Sequence, residues 1–277
     1  MRGLTARKRG RRMTRNIRNL LEDLVEERIS LEDAEQLLRN LSLKRVSDFA
    51  AIDTERESRS GIPEVVLADT KDTEQFMEIM RNIATTHGVA MGTRVDDEKR
   101  NRLEKEFSDY NLEVLGKPGH YTALVYSEDW SPPDINGKIA VVTAGTSDIP
   151  FSIEVEMIAR VMGIEVLKFY DVGVAGIHRL VEPMEEIIKN DTDAVVVVAG
   201  MEGALPTVVA SLLDIPVIGL PVPIGYGYGG NGETALASML QSCAPGLAVV
   251  NIGNGLGAGS IACLIAKRCA KIRDKQG

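Results

Sequence analysis

A-V-V-V-V-A-G-M-E-G-A-L-P, running from Ala194 to Pro206, decides the fold class of this chain. Val195 to Val198 are apolar without alternation, the pattern of a strand buried on both faces in a parallel sheet covered by helices. The run stops at Ala199 and Gly200, where small residues let backbone approach closely. Gly203 to Pro206 then open a helical segment with Val208, Val209, Leu212 and Leu213 as its apolar positions. Glu202 is thereby placed at the carboxyl end of a central strand, against a helix N-terminus. In open α/β sheets that edge is where ligands bind, so a carboxylate there serves chemistry or capping.

Working outward, strand and helix patterns alternate five times after Trp130-Ser131-Pro132-Pro133. Paired prolines cannot continue a helix or a central strand, so this stretch reads as a linker. The strands are expected at Ile139–Thr143, Ile164–Phe169, the Val195–Val198 run, Pro216–Leu220 and Leu247–Ile252, and helices follow each. This is an α/β doubly wound parallel sheet. Before the linker, the spacing predicts strands at Ile62–Leu67, Gly88–Thr93 and Tyr121–Tyr126, with helices over Asp72–Thr86 and Asp96–Phe107: a smaller N-terminal α+β domain. Ahead of it, Ile17, Leu20, Leu21, Leu24 and Val25 form one helical face. Ser30 caps a second helix carrying Ala34, Leu37, Leu38 and Leu41, so the pair reads as a helical hairpin. Phe49–Ser60 is polar and reads as surface loop. The division is a basic tail over 1–12, the hairpin and small domain over 13–132, and the doubly wound domain over 133–277.

Composition narrows the function classes. The 277 residues are 44% hydrophobic and 26% charged, as expected of a globular protein with a real core. The formal net charge of −8 argues against general nucleic-acid binding, despite the basic residues among the first twelve. Three cysteines without dense spacing point away from a disulfide scaffold and toward a reducing cytoplasm. No window is long and apolar enough to span a bilayer. His87 and His120 each adjoin a glycine and read as surface or capping groups. The first half shows no catalytic constellation.

The chemistry-bearing stretches lie in the second half. Ala144–Pro150 (A-G-T-S-D-I-P) offers the Gly145, Thr146, Ser147 and Asp148 backbone, two hydroxyls and a carboxylate at a helix start. That set suits a phosphate, and equally a plain N-cap. His178 and Arg179 follow a loop of small residues; they are a proton carrier and an anion partner, or surface groups. Pro221–Gly232 is rich in glycine, and Tyr226 or Tyr228 suits stacking on a flat ring; a subunit-contact loop is the other reading. Cys243 lies near a helix C-terminus, where the dipole disfavours negative charge on sulfur. Cys263 sits among apolar residues of the last helix and reads as core. Asn251–Gly259 (N-I-G-N-G-L-G-A-G) follows a strand and opens a helix, with Asn254 and Gly255 as phosphate candidates.

Taken together, A-G-T-S-D-I-P, G-I-H-R at Gly176–Arg179 and A-G-M-E-G-A-L-P at Ala199–Pro206 resemble the aminoimidazole ribonucleotide carboxylase (PurE) family. PurE itself has a small residue and a histidine in the region of Met201 to Ala204. With Glu202 there, and with S-C-A-P-G at Ser242–Gly246, the chain resembles the LarB family of nickel-pincer nucleotide biosynthesis. Pro63–Val66 and the hairpin extend the likeness into the first half. The resemblance implies a PurE-like catalytic domain and a carboxylase/hydrolase. It would convert nicotinic acid adenine dinucleotide and CO2 or bicarbonate into pyridinium-3,5-biscarboxylic acid mononucleotide and AMP. It implies Cys243 as nucleophile and Glu202 as acidic partner. Gly145–Asp148, His178, Arg179, Gly200, Met201, Gly203, Asn254 and Gly255 would contact substrate. It also implies a magnesium ion, without assigning ligands, and a homo-oligomer, an octamer in PurE-like proteins. The alternatives are a PurE-type carboxylase or mutase, and a nucleotide-binding module without turnover.

Overall fold

Four consecutive valines need apolar partners on two sides, and in the computed structural model they have them. The structure describes residues 17–34, 44–46, 50–52 and 56–276. Within these, the chain forms two compact units, Met1–Glu55 and Arg56–Gly277. In the first unit, α1 spans Ile17–Val25, and β1 (Lys44–Val46) pairs antiparallel with β2 (Ala50–Ile52). The Ser30 cap is present, its Oγ accepting the Asp33 amide at 3.0 Å. The basic tail and Leu37, Leu38 and Leu41 lie outside the described residues. The stretch expected to be loop from Phe49 to Ser60 instead carries β2 and a short helix, α2 (Arg56–Ser60).

The second unit holds two sheets. The smaller comprises β3 (Val65–Leu67), β4 (Val89–Val95), β5 (Asn111–Lys117) and β6 (His120–Tyr126) in the order β3-β4-β6-β5. Helices α3 (Thr73–His87) and α4 (Asp97–Glu106) complete this part. Asp72 and Gln75 form a capping box at the start of α3, which explains the sharp boundary there. The edge strand β5 was not foreseen, because its side chains are only partly buried and its polar residues blur the alternation. Trp130–Pro133 then carries the chain to the larger sheet.

That sheet is all parallel. Its strands are β7 (Lys138–Thr143), β8 (Glu165–Phe169), β9 (Ala194–Ala199), β10 (Val217–Pro221) and β11 (Leu247–Val249), in the order β11-β10-β9-β7-β8. Helices α5 (Ile149–Val161) and α9 (Gly255–Gln276) cover one face. The other carries α6 (Val181–Lys189), α7 (Leu205–Leu212) and α8 (Glu233–Leu240). Strand order reverses between β7 and β9, so the crevice at their carboxyl ends is the topological switch point.

The valine run explains the layering. Val196 and Val198 enter a core with Val155 and Ile158 of α5 and Ala262 and Cys263 of α9, whereas Val195 and Val197 enter another with Ile187, Val209 and Met239. The first core also contains Met91 of β4 and Leu124 of β6, so the small sheet packs on the α5 layer. Crossing of α5 and α9 requires Gly259, where a Cβ would lie 2.5 Å from Ile158 Cγ2.

Val196 is wholly buried, and Val196→Ala should cost about 2 kcal/mol through lost burial and a residual void. Denaturant unfolding should show a lower midpoint with unchanged slope; an unchanged midpoint would contradict the two-sided packing.

Candidate active site

The turn after β9 is held open for Glu202 by backbone constraints. Met201 and Gly203 both have positive φ, 51° and 65°. The Met201 amide donates to the Ile224 carbonyl at 2.6 Å, and the Gly203 amide to Gly200 at 2.9 Å. A Cβ on Gly200 would lie 2.4 Å from the Ile224 oxygen, and one on Gly203 2.6 Å from the Ala235 oxygen. Small residues are therefore needed at both positions, and the turn presents Met201 and Glu202 to solvent. A non-glycine residue in left-handed backbone at such a site is stored strain.

Across the switch point, Asp148 is 3% exposed. Its Oδ2 accepts the Gly145 amide at 2.8 Å, while Oδ1 has no partner among the described residues. Burial pushes its carboxyl up, and the amides of Gly145 and Gly200 oppose that. Asp148 thus braces the loop after β7 and lies near Gly200 of the loop after β9, while Thr146 and Ser147 are exposed. Arg179 folds back on the loop after β8, donating to the Asp171 carbonyl at 2.7 Å and its carboxylate at 3.2 Å. His178 beside it is exposed. Tyr226 and Tyr228 project from the glycine loop, Tyr228 with its whole side chain in solvent.

The start of α9 is already partly occupied. Asn254 Oδ1 accepts the Gly257 amide at 2.9 Å, and Glu154 Oε2 accepts the Leu256 amide at 3.0 Å. Gly255 is packed against Phe151 and Glu154 of α5. These groups serve the junction of the two helices, whatever else they bind.

Cys243 is exposed. It follows α8 and precedes β11, so it lies toward the amino edge of the sheet, whereas Glu202 lies at the carboxyl edge. No hydrogen bond joins the two among the described residues. The sulfur's segment is anchored on α7: Thr207 Oγ1 donates to Ser242 Oγ at 2.9 Å, and Ser242 Oγ accepts the Ala244 amide at 3.1 Å. A separate cavity of about 440 Å³ is lined by Glu113, Glu156, Arg160 and Lys168 among others. Its charges pair with one another, Arg160 with Glu113 and Lys168 with Glu156, and it does not open on the switch point.

The LarB/PurE-like N-terminal domain model matches residues 44–118, and the AIR carboxylase model matches 138–276. The chain belongs to the LarB family. An uncharacterized protein of Methanocaldococcus jannaschii is 39% identical over 256 residues, covering 92% of this chain and 98% of that one. The N5-carboxyaminoimidazole ribonucleotide mutase of the same organism is 33% identical over 138 residues, 50% of this chain and 81% of the mutase. The Thermotoga maritima mutase is 33% identical over 135 residues, 46% of this chain and 74% of the mutase. The chain is therefore of the PurE/LarB carboxylase/mutase class, with a PurE-like domain and a smaller N-terminal part.

For a LarB-family chain, two observations bear on expected components. Among the described residues, no three His, Cys, Asp or Glu side chains gather as a metal cage. Magnesium bound by substrate phosphates and one or two carboxylates needs none. No helix of the described residues is long and apolar enough to cross a membrane.

The sequence reading missed a group on the small sheet. His120 packs tilted against Phe151, ring centroids 5.3 Å apart, Lys117 Nζ lies 5.1 Å from the centre of the same ring, and Arg94 bonds Asp69 at 3.2 Å and the Gly253 carbonyl at 3.3 Å. Glu154 is 2% exposed, and Thr93 is wholly buried. Among the described residues, His120 Nε2, Thr93 Oγ1 and Glu154 Oε1 have no hydrogen-bond partner. Thr93 lies near enough to oppose the rise of the Glu154 carboxyl. Burial dominates and pushes that carboxyl above its ordinary value of 4.5, against the Leu256 amide and Arg94.

Between pH 4.5 and the raised native value, the folded chain therefore holds the Glu154 proton more firmly than the unfolded chain does. The Glu154 contribution is full below pH 4.5 and drains as pH climbs through the raised native value. Glu154→Gln retains an acceptor for Leu256 and cannot ionise. The melting temperature of the variant minus that of wild type should be near zero at about pH 4 and grow positive toward about pH 8; a difference that falls with pH would refute the raised Glu154 value.

Proposed function

We propose that this chain carboxylates the pyridinium ring of nicotinic acid adenine dinucleotide with CO2 or bicarbonate, then hydrolyses its phosphoanhydride. The products are pyridinium-3,5-biscarboxylic acid mononucleotide and AMP. The observation that carries the reading is the presentation of Glu202 by the strained turn at the switch point of a LarB-family AIR carboxylase domain.

A pyridinium ring is electron-poor, so C5 does not attack CO2. Addition of the Cys243 thiolate at C6 neutralises the ring and leaves an enamine whose C5 is nucleophilic. C5 bonds to CO2, a base removes the C5 proton, and departure of the thiolate restores the charged aromatic ring. Glu202 is the base or orients the ring. Water then cleaves the phosphoanhydride. The loops at Gly145–Asp148 and Gly200–Gly203, with His178, Arg179, Asn254 and Gly255, hold the substrate. Magnesium, carried by the substrate's phosphates, would neutralise charge during hydrolysis. Because Cys243 and Glu202 lie toward opposite edges in one chain, the reading requires a homo-oligomer in which one protomer's Cys243 meets another's Glu202.

The mutase relatives favour a second reading, aminoimidazole ribonucleotide carboxylation or rearrangement. Mass spectrometry of products from each nucleotide with labelled bicarbonate separates the two. On the dinucleotide, Cys243→Ala should abolish carboxylation while retaining substrate binding, and Glu202→Gln should slow it by about 100-fold or more. Wild-type product formation by Cys243→Ala would overturn the mechanism.

A further inference from the structure

We propose that the small sheet supplies a phosphate-binding subsite, formed by Arg94, Lys117 and His120 beside Thr93 and Glu154, for the nucleotide substrate. The inference rests on the nucleotide reading above and assigns a substrate role to the N-terminal half.

Three features point to a ligand. Among the described residues, the buried side-chain polar atoms without partners are Thr93 Oγ1, His120 Nε2, Asp148 Oδ1 and Glu154 Oε1. All belong to residues on or packed against the start of α5, at the carboxyl edge of the parallel sheet. Native structures rarely leave such groups unpaired. Second, β4 is irregular just there. Its register with β6 shifts between Gly92 and Val95, and Arg94 has a φ of 54°. A bulge of this kind re-aims a side chain, and Arg94 reaches the loop that opens α9. Third, basic groups converge. Lys117 and His120 share the Phe151 ring, and burial, then the nearby Arg94 and Lys117 charges, lower the His120 imidazole from its ordinary value, which favours a neutral hydrogen-bonding ring.

The donor set suits a phosphate. Lys117 supplies charge, His120 Nε2 and Thr93 Oγ1 supply directional donors, and Asp69 is engaged by Arg94. Burial raises the Glu154 carboxyl above its ordinary value, which weakens its repulsion of a phosphate. A buried water bridging Thr93 and Glu154 would satisfy those two alone and needs neither Lys117 nor His120.

Calorimetry on the full chain with ADP, adenosine and nicotinic acid adenine dinucleotide in bicarbonate-free buffer tests this. Lys117→Ala and His120→Ala should each weaken ADP binding by about tenfold and leave adenosine unchanged, with His120→Gln restoring part of the loss. Lys189→Ala, a solvent-exposed control on α6, should have no effect. Turnover of the dinucleotide should show a raised KM with kcat within about twofold. Unchanged ADP affinity in both variants, an equal loss in the control, or no ADP binding by wild type would overturn the subsite. ADP binding that depends on Lys117, without conversion of the dinucleotide, would preserve the subsite and defeat the proposed reaction.

Discussion

Burial of one strand on both faces governs this structure. A strand like β9, with Val195 to Val198 all sealed from solvent, needs a helical layer on each side and a parallel neighbour at each edge. Those demands fix β7 and β10 beside it and send the connecting helices to alternate faces. The reversal of strand order between β7 and β9 follows from that winding. The crevice it leaves is where a turn cannot be filled by β9's own side chains. The chemistry of the chain is thus a by-product of how its most hydrophobic segment is satisfied.

Much of this was legible because it rests on local rules. The valine run, the prolines at 132 and 133, the Ser30 cap and the glycines around Glu202 each carry their meaning within a few residues. The boundaries of α3 and α4 followed to within one position, whereas a kinked 3-10 stretch over Val174–Leu180 precedes α6. The strand β5 escaped because an edge strand half-exposed on both sides has no sharp periodicity.

The site was less readable, for a different reason. His120 and Thr93 look ordinary in sequence, and their interest arises only when β4 and β6 are laid against α5. Nor did sequence show that Asn254 and Glu154 already occupy the first amides of α9. The separation of Cys243 from Glu202 was equally hidden, since adjacency of motifs along a chain says nothing about which edge of a sheet each one reaches. A signal was available in retrospect: Cys243 comes before its strand, and Glu202 comes after its own.

The shared core of the two sheets has an evolutionary corollary. Met91 and Leu124 interlock with the same α5 side chains that line β9, so the apolar outer surface of α5 is spoken for. A mutase built from the second half alone would have to clothe that helix by other means, such as a neighbouring copy. Acquiring the small sheet would then be a change of neighbour as much as a gain of parts, and any assembly inherited from such an ancestor would have to be rearranged to accommodate it.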